Sequence, residues 1–129
     1  MNRKLEKQEV TDRIKTFEDA LRETGRPDVP EFSDVPEDLR AYFQAQYKAI
    51  VITEALNEGW EADWNDGGQG KYIPWFRKAT PSGLEFDVAL YACSAPNAGY
   101  ASRICFKTVK LALYAGKQFL EIWKDLILK

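Results

Sequence analysis

Residues Glu58 to Lys78, EGWEADWNDGGQGKYIPWFRK, hold three of the chain's four tryptophans: Trp60, Trp64 and Trp75. Tyr72, Phe76 and four of the eight glycines lie in the same stretch. Each ring carries a large apolar area that must be buried or covered by a ligand, so the segment is no solvated linker. It reads as the exit from a long helix into the first strand of a small sheet.

The 129 residues predict one domain, 1–129, large enough to bury a core without staples. With 45% hydrophobic and 29% charged residues the composition is that of an ordered globular chain. The start, MNRKLEKQEV, is charged and has no apolar run, so no signal peptide is expected and residues 1–10 read as frayed. No apolar run is long enough to cross a bilayer. Cys93 and Cys105 form no disulfide framework and are expected as reduced, small buried residues in a cytoplasmic protein.

Two helices are predicted first. Thr16 caps a short one, with Glu18 and Asp19 in its first turn and Gly25 as its stop. The second is capped by Ser33 or Asp34, carries Pro36 in its first turn and ends near Asn57, with Gly59 beyond. Leu39, Phe43, Tyr47 and Ile50 form one stripe on it, and Tyr42, Ala45, Ala49, Ile52 and Leu56 a second, so it is expected to be covered on more than one side.

Strands follow at Tyr72–Lys78, Leu84–Cys93 and Ser102–Lys107. The middle one alternates in period two, and short connections predict an antiparallel meander. Thr108 caps a last helix whose stripe runs from Val109 through Leu120 and Trp123 to Ile127. The expected fold class is α+β: two N-terminal helices, a three-stranded antiparallel meander, and a C-terminal helix packed on the sheet.

The chemistry is bounded by absences. With no histidine, Ser-His-Asp and Cys-His catalysis fall away, as do His-containing zinc sites. Gly67-Gly68-Gln69-Gly70-Lys71 lacks the first glycine of a phosphate loop, and Tyr72 follows the lysine. Asp63-Trp64-Asn65-Asp66-Gly67 misplaces the glycine of a calcium loop. No metal and no cofactor is expected. A net charge of −2 argues against a duplex-DNA binder. Glu58, Glu61, Asp63 and Asp66 form a local acidic cluster, and a carboxylate-dependent hydrolase is the reading it would support.

The candidate ligand-binding residues are Trp60, Trp64, Tyr72, Trp75, Arg77, Tyr91 and Arg103. Rings flanked by cations suit stacked bases, with Lys71, Lys78 and Lys107 meeting the backbone. The bland alternative is that the rings fill a core between sheet and helices.

NEGWEADWN, KYIPWF, SRICF and YAGKQFLEIWKDLI together resemble a family of small uncharacterised proteins of Bacteroides-type gut bacteria and their phages. The resemblance covers about Thr16 to the C-terminus. It implies an intracellular, phage- or prophage-linked setting and transfers no catalytic residue. The expected function is a non-enzymatic binding or assembly protein, with a protein partner or a second copy in a homodimer. A single-stranded nucleic-acid-binding module is the alternative.

Overall fold

The computed structural model describes residues 9–80, 83–91 and 103–128; for 77–80, 83–91 and 128 it describes the backbone alone. The elements are α1 (Val10–Arg13), α2 (Phe17–Thr24), α3 (Glu37–Asn57), β1 (Tyr72–Thr80), β2 (Gly83–Tyr91), α4 (Val109–Gln118) and α5 (Leu120–Leu128). The expected α+β meander is therefore corrected. Helices dominate the described residues, and β1 and β2 form a two-stranded antiparallel ribbon.

Local signals set the N-terminal half. Thr16 accepts a hydrogen bond from the Asp19 N–H at 3.1 Å, and Asp19 answers by accepting from the Thr16 N–H at 3.1 Å. This reciprocal box satisfies two donors that a helix start otherwise leaves open. Gly25, at φ 74°, closes α2 in the left-handed conformation. Residues 1–8 of the stretch expected to fray lie outside the described residues. Val10 of that stretch is buried and opens α1.

α3 starts differently from expectation. Neither Ser33 nor Asp34 caps it; Pro36 is the N-cap residue, with no side-chain cap. Its end is left-handed at both Glu58 (φ 50°) and Gly59 (φ 90°). The Glu58 carboxylate is anchored there by Arg13 at 3.1 Å and Lys107 at 3.9 Å.

The core joins Ile14 and Ala20 to Ala49, Ile52 and Leu56 of α3, to Phe106, and to Ala112, Ala115, Phe119 and Trp123 of the C-terminal helices. Fully burying each large apolar side chain contributes about 1.5–3 kcal/mol. Tyr72 and Phe76 reach this core from β1, and Phe76 meets Trp123 with ring centroids 5.9 Å apart.

Over its described residues, 103–107, the expected third strand (Ser102–Lys107) is reduced to one bridge; Ser102, and Ala92 and Cys93 at the end of the expected second strand, lie outside the described residues. The Phe106 N–H donates to the Tyr72 carbonyl at 2.7 Å and receives its N–H at 3.0 Å. The bridge lies beside β1, where a meander would have placed a third strand beside β2. Asn57 occupies the edge of this segment that faces away from β1. Its Nδ2 donates to the Cys105 carbonyl at 3.0 Å, and its Oδ1 accepts from the Lys107 N–H at 3.1 Å. One buried amide takes the backbone groups on either side of Phe106 that a strand neighbour would otherwise use.

The expected single C-terminal helix is two. Phe119, at φ −114° and ψ 34°, breaks the run between α4 and α5. The freed turn is satisfied at the Ala115 carbonyl, which accepts from the Phe119 N–H at 3.1 Å and from Trp123 Nε1 at 3.1 Å. Thr108 caps α4 by accepting from the Leu111 N–H at 3.1 Å. α4 lies against both strands of the ribbon.

Candidate functional site

The stretch between α3 and β1 folds around Lys71. This side chain is completely buried. Its Nζ donates to the carbonyls of Asp66 at 3.0 Å and Gln69 at 3.1 Å, and stands 5.1 Å from the centre of the Trp64 ring. Carbonyl dipoles and a π face thus replace the water that a buried ammonium loses. The loop closes on itself as well. Asp63 Oδ1 accepts from the Asn65 N–H at 3.0 Å, and Asp66 Oδ1 from the Gly68 N–H at 2.9 Å. These are side-chain-built turns, the usual use of Asp in such loops. Gly70 lets the Tyr72 ring lie close, because a Cβ there would stand 2.7 Å from the Tyr72 hydroxyl oxygen and the ring would have to shift.

The acidic cluster disperses accordingly. Asp63 and Asp66 are spent on turns, Glu58 on Arg13 and Lys107, and Glu61 remains exposed. Among the described residues no three acidic or cysteine side chains converge as metal donors would.

A cavity of about 540 Å³ opens between the C-terminal half of α3 and the segment that leaves it. Trp60 and Trp64 wall it, both half-buried, with Ile50 on the helix side. Arg26 and Glu54 line it as a closed ion pair at 2.9 Å. Arg103 and Glu61 line it too, and among the described residues neither has an ion-pair partner. Cys105 forms part of the wall; burial pushes its thiol up from the ordinary value, against the opposing pull of the Lys71 charge.

Of the seven residues predicted to bind, Trp60, Trp64 and Arg103 come together here. Tyr72 packs on the core. Trp75 is 48% exposed on the ribbon and is not part of the cavity. The side chains of Arg77 and Tyr91 lie outside the described residues. Arg26 and Glu54 escape sequence reasoning because their pairing spans 28 residues and no local pattern announces it.

A second feature lies at the other end of α3. Its C-terminal half is buried at Val51, Ile52, Thr53, Ala55, Leu56 and Asn57. Its N-terminal half leaves Leu39, Tyr42 and Phe43 exposed, at 43%, 37% and 37%. Cover on several sides, expected for the whole helix, holds only for its last two turns. Phe32 adds its ring from the preceding loop, 5.9 Å from Phe43, and Tyr42 meets Phe43 edge-on at 5.5 Å. The surrounding residues 28–43 carry five carboxylates, Asp28, Glu31, Asp34, Glu37 and Asp38, against one cation, Arg40. The Arg40 guanidinium is taken up by the carbonyls of Val35 at 2.8 Å and Ser33 at 3.1 Å. Glu31, Asp34, Glu37 and Asp38 are exposed and have no ion-pair partner among the described residues.

Comparison with protein families, curated proteins and solved structures finds no match to this chain. The reading of its function rests on the chain's own residues.

Proposed function

We propose that this chain is a non-enzymatic binding and assembly protein that holds a basic amphipathic segment of a protein partner on the N-terminal half of α3. The observation that carries this reading is the cluster of Leu39, Tyr42 and Phe43, exposed side by side within a rim of carboxylates. Scattered exposed apolar residues are ordinary, but a contiguous group rimmed by charge marks an interaction surface. Tyrosine is among the side chains that dominate interface energy.

Charge selects the occupant. Four unpaired carboxylates steer and hold lysines and arginines, while the rings take the apolar face of the same segment. A second copy related by a two-fold axis would bring this acidic patch against itself, which like charges oppose. The phage- or prophage-linked, intracellular setting enters this proposal from the sequence resemblance alone. Among the described residues no helix is long and apolar enough to cross a membrane.

Single-stranded nucleic acid is the competing reading, favoured by one observation: Trp75 stands exposed on the ribbon. The unpaired carboxylates on α3 oppose a polyanion, which ranks this reading second. A fluorescent peptide with leucine and lysine at helical spacing and a labelled oligonucleotide, titrated in parallel, separate the two. Binding of the peptide that is lost on Tyr42→Ser and Phe43→Ser supports the assembly reading. Binding of the oligonucleotide alone, lost on Trp75→Ala, replaces it.

A further inference from the structure

The cavity beside Trp60 and Trp64 is far along α3 from the exposed aromatic face and has its own chemistry. We infer that it is a binding site for a small zwitterion with a flat aromatic body, the chemistry of a free aromatic amino acid. This inference is independent of the assembly reading.

Size and walls come first. At about 540 Å³ the cavity falls in the range that holds small molecules, and its two indole rings offer stacking faces beside the Ile50 side chain. Fixed charge then decides among ligands. Four charged side chains line the cavity, and two of them, Arg26 and Glu54, satisfy each other at 2.9 Å. The two that remain are of opposite sign, Arg103 and Glu61, and they do not pair with one another.

A polyanion such as a nucleotide would gain Arg103 but face Glu54 and Glu61. A simple cation would gain Glu61 but face Arg26 and Arg103. A neutral ring would leave both charges as they are. A zwitterion alone engages the two: its carboxylate meets the Arg103 guanidinium, whose paired N–H donors match a carboxylate, and its ammonium meets Glu61. The ring lies against Trp60 and Trp64. Trp64 Nε1 in the wall is buried with no hydrogen-bond partner among the described residues, whereas two other polar groups are satisfied within the fold. The Thr53 hydroxyl donates to the Ala49 carbonyl at 2.7 Å, and the Asn57 amide is held by Cys105 and Lys107.

Calorimetric titration of the full chain with phenylalanine, phenylpropionate (no ammonium) and phenethylamine (no carboxylate) tests this. Phenylalanine is expected to bind at least about tenfold more tightly than either analogue, a difference of about 1.4 kcal/mol. Glu61→Gln should lower phenylalanine to the level of phenylpropionate and leave phenylpropionate unchanged. Arg103→Gln should lower it to the level of phenethylamine. Both residues are exposed, and thermal unfolding of each variant checks that the fold is intact. Phenylpropionate binding as tightly as phenylalanine would make this an anion site and overturn the inference. So would binding that ignores both substitutions, or no heat with any of the three at millimolar concentration.

Discussion

Phe32 meets Phe43 with ring centroids 5.9 Å apart, and it does so from a left-handed backbone at φ 56°. That conformation costs a residue with a Cβ about 1–2 kcal/mol. Glycine would relieve it, yet the chain places a phenylalanine there, where the ring extends the exposed cluster on α3. Phe32→Gly is therefore expected to leave thermal stability within a few degrees of the parent, the relieved strain offsetting the lost ring contact. It should at the same time weaken peptide binding severalfold. Melting curves and fluorescence titration read the two effects separately; a large loss of stability with unchanged binding would assign Phe32 to the core.

Lys71→Met keeps the apolar stem and removes the ammonium. The carbonyls of Asp66 and Gln69 and the face of Trp64 then lose their common partner. Hydrogen bonds to a charged group contribute about 1.5–3 kcal/mol each, but relief from burying the charge offsets part of that. The expected net loss is about 1–3 kcal/mol by denaturant unfolding. Backbone amides of residues 63–70 should exchange faster while those of α3 stay protected. A stability gain would show that the ammonium is tolerated rather than required.

Asn57→Ala leaves the Cys105 carbonyl and the Lys107 N–H without their partner inside the fold. An unsatisfied buried group costs about 1–3 kcal/mol, so a loss of roughly 2–4 kcal/mol is expected. Cys105, 2% exposed, should then react with a thiol reagent much faster than in the parent, measured on its own peptide by mass spectrometry. Equal labelling rates would contradict the clamp.

Acid should act on α2 through Asp19. The N–H groups of Lys15 and Thr16, donating at 2.9 and 3.1 Å, hold its carboxyl below the usual value, with Arg22 adding to the effect. A carboxyl lowered in the folded state binds protons less readily than in the unfolded chain. Its stabilisation is therefore complete above the unfolded pKa of about 3.9 and is lost as pH falls through the lower folded value. Asp19→Asn should lower stability at neutral pH, where the carboxylate's contribution is complete, and flatten stability against pH below about 4. An unchanged acid limb would place the sensitivity elsewhere.

What was legible in the sequence was local. Thr16 with Asp19, and Thr108 with Leu111, are cap signals within one turn, and both caps form. The length of α3 followed from its unbroken periodicity. What was missed depends on partners far along the chain. The third strand looked sound from residues 102–107 alone, but Asn57 takes its backbone groups from about 50 residues away. The break at Phe119 has no glycine or proline to announce it; it goes with the Trp123 indole, which reaches back eight residues to the Ala115 carbonyl. The aromatic stretch reads in sequence either as one platform or as one core, and the fold divides it between the two. Buried Lys71 gathers Trp64 into the loop, whereas Tyr72 and Phe76 of β1 reach the core and leave Trp75 exposed. Helical stripes mark apolar positions on α3, yet only the other elements determine which half of the helix they cover.

The most direct measurement is a fluorescence titration of the full chain with the basic amphipathic peptide, run at low and at physiological salt. The account predicts saturable binding of one peptide per chain that weakens as salt rises, because the rim carboxylates are exposed and screened. It also predicts a loss of at least about tenfold on Phe43→Ser, a residue whose exposure leaves the fold intact. Absence of binding at low salt would contradict the account. So would binding indifferent to Phe43, or light scattering that shows a stable dimer with Leu39, Tyr42 and Phe43 covered by the second copy.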